Sequence, residues 1–186
     1  TGNTTSNALT IETGAGNDEI DLTSTTLTTA TATPTDKIIV NAGAGDDEII
    51  VGLTGGTFTL GTGKDTIDVT DAAVVAAGIS VATGAIKTTI TDIEKGDAII
   101  GLQGALFVQA TITGAATLDD ALDIAASGAY AGNVTWFKYT DGNTYIVDNI
   151  AATATLDTTD VVIKLNGVVN IGNSTLNAAT DTLTIA

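Results

Sequence analysis

The chain has 186 residues, 44% of them hydrophobic, and carries 22 acidic residues against six lysines for a formal net charge of −16. Arginine, histidine and cysteine are absent, which excludes a Ser-His-Asp triad, a thiolate nucleophile, an ordinary zinc site and a guanidinium clamp for phosphate. So acidic a surface repels nucleic acid and anionic membranes and suits a hard divalent cation that takes oxygen ligands, although the same charge also serves to keep a strand-rich chain soluble. Paired carboxylates can hydrolyse glycosides, but carboxylates alone are a weak signal of it.

Threonine, alanine and β-branched aliphatics dominate, with 21 glycines and one proline. That mixture favours many short strands joined by tight turns, and so an all-β fold. No run of 18 apolar residues spans a membrane. No signal peptide is visible, and the start at Thr1-Gly2-Asn3 reads as that of a piece of a longer protein.

In chain order, the first half holds a repeat. Thr13-Gly14-Ala15-Gly16-Asn17-Asp18-Glu19-Ile20-Asp21, Ala42-Gly43-Ala44-Gly45-Asp46-Asp47-Glu48-Ile49-Ile50 and Leu60-Gly61-Thr62-Gly63-Lys64-Asp65-Thr66-Ile67-Asp68 all read x-G-x-G-x-D-x-I-x. Each lies between two segments with apolar residues at every second position: Leu9 and Ile11 before Ile20 and Leu22, Ile38 and Val40 before Ile49 and Val51, Phe58 and Leu60 before Ile67 and Val69. Alternation buries one face of a strand, and stacked coils share that core. Gly43 to Gly61 is 18 residues, twice nine, or one coil of two strands and two turns; Gly14 to Gly43 is 29, or 18 plus 11. The extra 11 predict an enlarged turn within Thr23–Thr35 on the opposite edge, where the next turn, Gly52-Leu53-Thr54-Gly55-Gly56, has no carboxylate. Metal is therefore expected on one edge only.

Glycine allows the backbone to turn with its carbonyls pointing inward, and the following aspartate adds a carboxylate oxygen. Calcium takes six to eight oxygens, more than one loop provides, so an ion is expected between consecutive loops. The expected ligands are the backbone of Thr13, Gly14, Ala15 and Gly16, of Ala42, Gly43, Ala44 and Gly45, and of Gly61, Thr62 and Gly63, with the carboxylates of Asp18, Asp47 and Asp65. Three loops make two such sites. A single copy of the motif is ordinary turn chemistry; three copies flanked by strands point to metal.

A fourth coil is predicted with Ile79–Thr83 as a strand, Gly84-Ala85-Ile86-Lys87 as its loop and Thr88–Ile93 as the returning strand, Lys87 standing near the ligand position as in a capping repeat. Asp92 and Asp97 read as an ordinary β-turn carrying solvated acids, with a further cation site that closes the stack as the alternative. Residues 1–101 are thus read as the roll, and 102–186 as a β-rich region packed on its end. There, Leu106–Ile112 predicts a strand. Thr117–Gly128 predicts a short helix with Thr117 as N-cap and Asp119 and Asp120 at its positive end. Asp141-Gly142 predicts a hairpin between Val134–Tyr139 and Thr144–Val147. Trp136, Phe137, Tyr139 and Tyr145 read as a local core, and the strands Val161–Leu165, Val168–Ile171 and Thr182–Ala186 complete the chain.

The three loops resemble the calcium-binding nonapeptide G-G-x-G-x-D-x-U-x of RTX proteins exported by type I secretion, with the first glycine replaced each time. Thr117-Leu118-Asp119-Asp120-Ala121-Leu122, Asp141-Gly142-Asn143-Thr144-Tyr145-Ile146-Val147 and Asp160-Val161-Val162-Ile163-Lys164-Leu165-Asn166-Gly167 are similar to C-terminal regions of Gram-negative RTX-type S-layer proteins. The resemblance implies a parallel, RTX-like β-roll that binds calcium and folds outside the cell, an uncleaved C-terminal export signal read by the type I secretion machinery, and a surface lattice built from copies of the protein. Anchoring to a cell-surface polysaccharide would fall to a part upstream. The expected function is a non-catalytic structural domain; the alternatives are the tail of an RTX adhesin or the export domain of a secreted enzyme.

Overall fold

In a computed structural model, residues 8–25, 37–52, 55–70, 86, 88–150, 156 and 160–186 are described. β-Strands dominate and, among these residues, there is one α-helix. The strands are β1 (Ala8–Ala15), β2 (Glu19–Asp21), β3 (Lys37–Ala44), β4 (Glu48–Ile50), β5 (Gly56–Thr62), β6 (Thr66–Asp68), β7 (Thr88–Ile90) and β8 (Ala98–Ile100) in the first half. In the second half they are β9 (Phe107–Gln109), β10 (Val134–Lys138), β11 (Thr144–Asp148), β12 (Val161–Leu165), β13 (Thr175–Asn177) and β14 (Thr182–Thr184), with the helix α1 at Leu118–Ala126.

Successive strands of the first half alternate between two sheets. One runs β1-β3-β5-β7-β12-β11-β10-β9, the other β13-β14-β8-β6-β4-β2. Pairing from β1 through β7 to β12, and from β2 through β8, is parallel throughout. The register sets like over like. Ile20, Ile49, Ile67 and Ile99 form one inward column, and Ile11, Val40, Phe58, Ile90 and Leu165 another. Apart from the end residues Ile11 and Ile20, these side chains are fully buried, each contributing about 1.5–3 kcal/mol of apolar transfer free energy.

Both sheets run on past residue 101: β12 continues the first beside β7, and β14 the second beside β8. A single apolar cluster reaches from Ile20 to Ile185, with Leu9 packed at its margin. A second cluster lies on the outer face of the first sheet, where α1 lays Ala121, Leu122, Ala125 and Ala126 against Phe137, Tyr145, Val147 and Val162. β11 is therefore buried on both faces. The aromatic group is core: Phe137 stacks on Tyr145 with ring centroids 5.5 Å apart, and Trp136 on Phe107 at 6.3 Å. The helix begins as predicted, with a capping box in which Thr117 and Asp120 each accept from the other's backbone.

Three elements differ from expectation. Thr88–Ile90, expected as a returning strand, pairs with Gly56–Phe58 in the first sheet, and the strand that follows it in the second sheet is Ala98–Ile100. This fourth pair of strands thus lies later in the chain than predicted, and Ile79–Thr83 and Lys87 fall outside the described residues, as does most of the Thr23–Thr35 insertion. The strand expected over Leu106–Ile112 is only Phe107–Gln109. Val168–Ile171 forms no strand: the Val169 N–H is shared between the Thr144 hydroxyl and the Gly167 carbonyl, both at 3.0 Å, rather than donated into a ladder. No described helix is long and apolar enough to cross a membrane.

Candidate metal centre

The repeat's loops lie between the two sheets, on one edge. Gly14 faces Gly43 and Gly43 faces Gly61, while Ala15, Ala44 and Thr62 form the next column. Gly43, Gly45, Gly61 and Gly63 all have φ between 101° and 146°, a region that glycine alone enters readily. Space requires glycine as well. A Cβ on Gly43 would strike the carbonyl oxygen of Gly14, and one on Gly61 that of Gly43; Gly45 and Gly63 meet the oxygens of Gly16 and Gly45 in the same way. The carbonyls of Gly14, Gly16, Gly43 and Gly45 therefore point along the stack at the loop that follows, while those of Ala44 and Thr62 accept the N–H groups of Gly16 and Gly45 in the loop before. The position filled by glycine in the nonapeptide is here a strand position: Ala42 and Leu60 are buried in the core, and the Thr13 hydroxyl donates to the Ala42 carbonyl at 2.6 Å.

The aspartates form a second column. The backbone N–H of Asp18 donates to Asp47 Oδ1 at 2.8 Å, that of Asp47 to Asp65 Oδ1 at 2.9 Å, and that of Asp65 to Asp97 Oδ1 at 3.1 Å. Each carboxylate so fixes the coil before it. The other oxygen, Oδ2, of Asp18, Asp47 and Asp65 is buried and has no hydrogen-bond partner. Leaving such an atom unsatisfied costs about 1–3 kcal/mol, and more when it is charged. Burial pushes the Asp65 carboxyl above its usual range, and the neighbouring carboxylates of Asp97, Asp47 and Asp92 push it the same way, against the Asp47 N–H.

Asp97 is built differently. It is 1% exposed, and both oxygens are occupied: Oδ1 accepts from Asp65 and Oδ2 from the Glu94 N–H at 2.7 Å. Asp92 likewise spends both oxygens on backbone, accepting from Leu60 N–H at 2.8 Å and Gly61 N–H at 2.9 Å. Asp97 is therefore not solvated but continues the aspartate column, while the half-buried Asp92 takes two N–H groups from the end of β5. Burial, followed by the Glu94 and Asp92 charges, raises the Asp97 carboxyl as well.

All the expected ligand residues of the three loops share this edge. The sequence reading missed a more exposed ladder beside it, in which Asp46 N–H donates to Asn17 Oδ1 at 3.0 Å and Lys64 N–H to Asp46 Oδ1 at 2.8 Å. The repeat signals it, since Asn17, Asp46 and Lys64 share the position before the aspartate. Among the described residues, no group of three or more acidic side chains converges as a metal cluster. A cation on this edge would therefore take backbone carbonyls together with one or two carboxylates. The donors are all oxygen and the sites are partly anionic, which fits calcium and not a softer metal. No protein-family model matches this chain, and comparison with the curated proteins finds no match either.

Proposed function

We propose that this chain is a calcium-dependent structural domain: a parallel, RTX-like β-roll continued by a β-rich C-terminal region, exported from the cell and assembled with copies of itself in a surface layer. The observation that carries the calcium reading is the set of three buried carboxylate oxygens, the Oδ2 atoms of Asp18, Asp47 and Asp65, each without a hydrogen-bond partner beside stacked glycine carbonyls. Calcium would supply the missing positive charge. The loop backbone and Asp18, Asp47 and Asp65 would hold it, while Asp92 and Asp97 take backbone N–H groups. Without a cation the column of carboxylates is self-repelling, so binding free energy becomes folding free energy. Inside a cell, where calcium is scarce, such a chain stays open for export; outside, it closes. The surface-layer role rests on the resemblance to RTX-type S-layer proteins and on the absence of the residue types that familiar catalysis uses, and no activity is assigned.

Isothermal calorimetry of the chelator-treated chain tests the metal reading: at least two calcium ions bind per chain, and magnesium, which demands a tighter octahedral shell, binds more weakly. Absence of binding heat, with circular dichroism indifferent to chelator, sinks it. Electron microscopy after adding calcium tests assembly separately: ordered sheets support the surface-layer role, and a monodisperse calcium-loaded chain removes that role while leaving the metal site standing.

A further inference from the structure

Across the molecule from the Gly-Asp loops, a second buried carboxylate has no part in the proposed calcium chemistry. Asp148 ends β11, opposite Val161 at the start of β12, and is 1% exposed. Its Oδ2 accepts the Gln103 N–H at 2.6 Å, and its Oδ1 is buried without a hydrogen-bond partner. The two preceding N–H groups, of Gly101 and Leu102, both donate to the backbone carbonyl of Asp181, at 2.9 and 3.1 Å. Three consecutive N–H groups of the segment leaving β8 are thus held by the end of β11 and the start of β14. This is where the stack joins the C-terminal region. Among the described residues, the charged groups that face Asp148 are Asp160, just before β12, and Asp181, just before β14, and both are acidic.

We propose that Asp148 is a proton-operated latch at this junction: protonated, it lets β8, β11, β12 and β14 close together, and ionised, it drives them apart. An uncharged carboxyl keeps an acceptor for Gln103 without setting a negative charge beside the carboxyl groups of Asp160 and Asp181. Ionisation places that charge in a buried site where, among the described residues, the Gln103 N–H is the donor, and the repulsion acts on the starts of β12 and β14. Burial first, then the Asp160 and Asp181 charges, push the carboxyl up to about 6. A group raised on folding stabilises the folded chain fully below its unfolded value, and that contribution is lost as pH rises through the folded one. The latch therefore closes in mildly acidic medium and loosens at neutral pH. It does not depend on calcium at the Gly-Asp edge, and its test is run in chelator.

Carboxyl-carbon NMR of the full chain follows Asp148 directly: its midpoint lies near pH 6, and one below 4.5 overturns the latch. Asp148→Asn imitates the protonated form. Relative to the parent it raises the folded-to-unfolded ratio tenfold or more at pH 7.5, with the gain vanishing at pH 4; equal or lower stability at both pH values overturns the proposal. Asp181→Asn guards against a variant that fails to fold, since Asp181 sits at φ 50°, where asparagine is tolerated. It lowers the Asp148 midpoint, and an unmoved midpoint counts against the junction. Added calcium that drives the midpoint below 4.5 makes this a cation site and overturns the proton reading.

Discussion

The Gly-Asp stack and the hairpin–helix region share two sheets, yet they hold themselves together by different means. In the stack, columns of like residues repeat at every coil, and the carboxylates of Asp47 and Asp65 are buried in the same register as the isoleucines. In the second region, β10, β11 and β12 bury large side chains on both faces, and the helix covers Phe137 and Tyr145. One region buries a repeating column of carboxylates beside its apolar core, the other chiefly large apolar side chains, with Asp148 and Asp160 where it joins the stack. Stability that depends on calcium should therefore be confined to one end of a continuous fold.

Chelation is the largest expected effect and the most direct way to break that comparison. Hydrogen exchange with and without calcium should show residues 8–69 losing protection while β10 and β11 keep theirs. Uniform loss across both regions would mean that the shared sheets transmit the collapse and that the division is not real. The converse variant is Phe137→Ala, which empties the second cluster and costs about 3–5 kcal/mol by the usual toll of a large-to-small core substitution. Thermal unfolding should register that loss, while calorimetry finds the calcium affinity unchanged.

Glycine substitutions sharpen the comparison inside the stack. Gly14 and Gly43 have nearly the same φ, 100° and 105°, but a Cβ on Gly14 meets nothing within 4 Å, whereas one on Gly43 meets the Gly14 backbone. Gly14→Ala should cost roughly the 1–2 kcal/mol of a left-handed non-glycine residue. Gly43→Ala must also push two coils apart, and it should lose calcium binding as well as stability. Equal costs measured by denaturant unfolding would show that the coils do not stack this closely. Among the acids, Asp47→Ala should weaken calcium binding more than Asp18→Ala or Asp65→Ala, because its loop borders both inter-loop sites; equal losses by calorimetry count against the stacked order.

Much of this edge was legible because it is a spacing argument. The 18 and 29 residues between glycines set Gly14, Gly43 and Gly61 in one column, and the observed register agrees. The fourth pair of strands was not legible, since Thr88–Ile90 has the alternation of either an incoming or a returning strand, and only its partner, Gly56–Phe58, decides between them. The burial of Asp97 was not legible for a related reason. A solvated turn and an inserted carboxylate use the same residues, and the difference is whether Asp65 and Glu94 present N–H groups to it. Asp148 carried no motif at all; its signal is a charged residue ending a strand that is otherwise wholly buried.

The smallest expected effect tests whether the second region's order is local. Thr117 caps α1 by accepting the Asp120 N–H at 3.1 Å, and Asp120 Oδ2 accepts the Thr117 N–H at 2.9 Å in return. Thr117→Ala leaves that N–H of Asp120 without its side-chain acceptor and should cost about 1 kcal/mol. The hydrogen bonds to Thr117 and to the Ala116 N–H also hold the exposed Asp120 carboxyl below its usual range, so its NMR midpoint should rise in the variant. Because Leu122 and Ala125 pack on Phe137 and Tyr145 rather than on the column of aspartates, the loss should appear as fraying of residues 118–126 with calcium binding untouched. A shift in calcium affinity from so remote a cap would tie the two regions into one cooperative unit and remove the contrast between them.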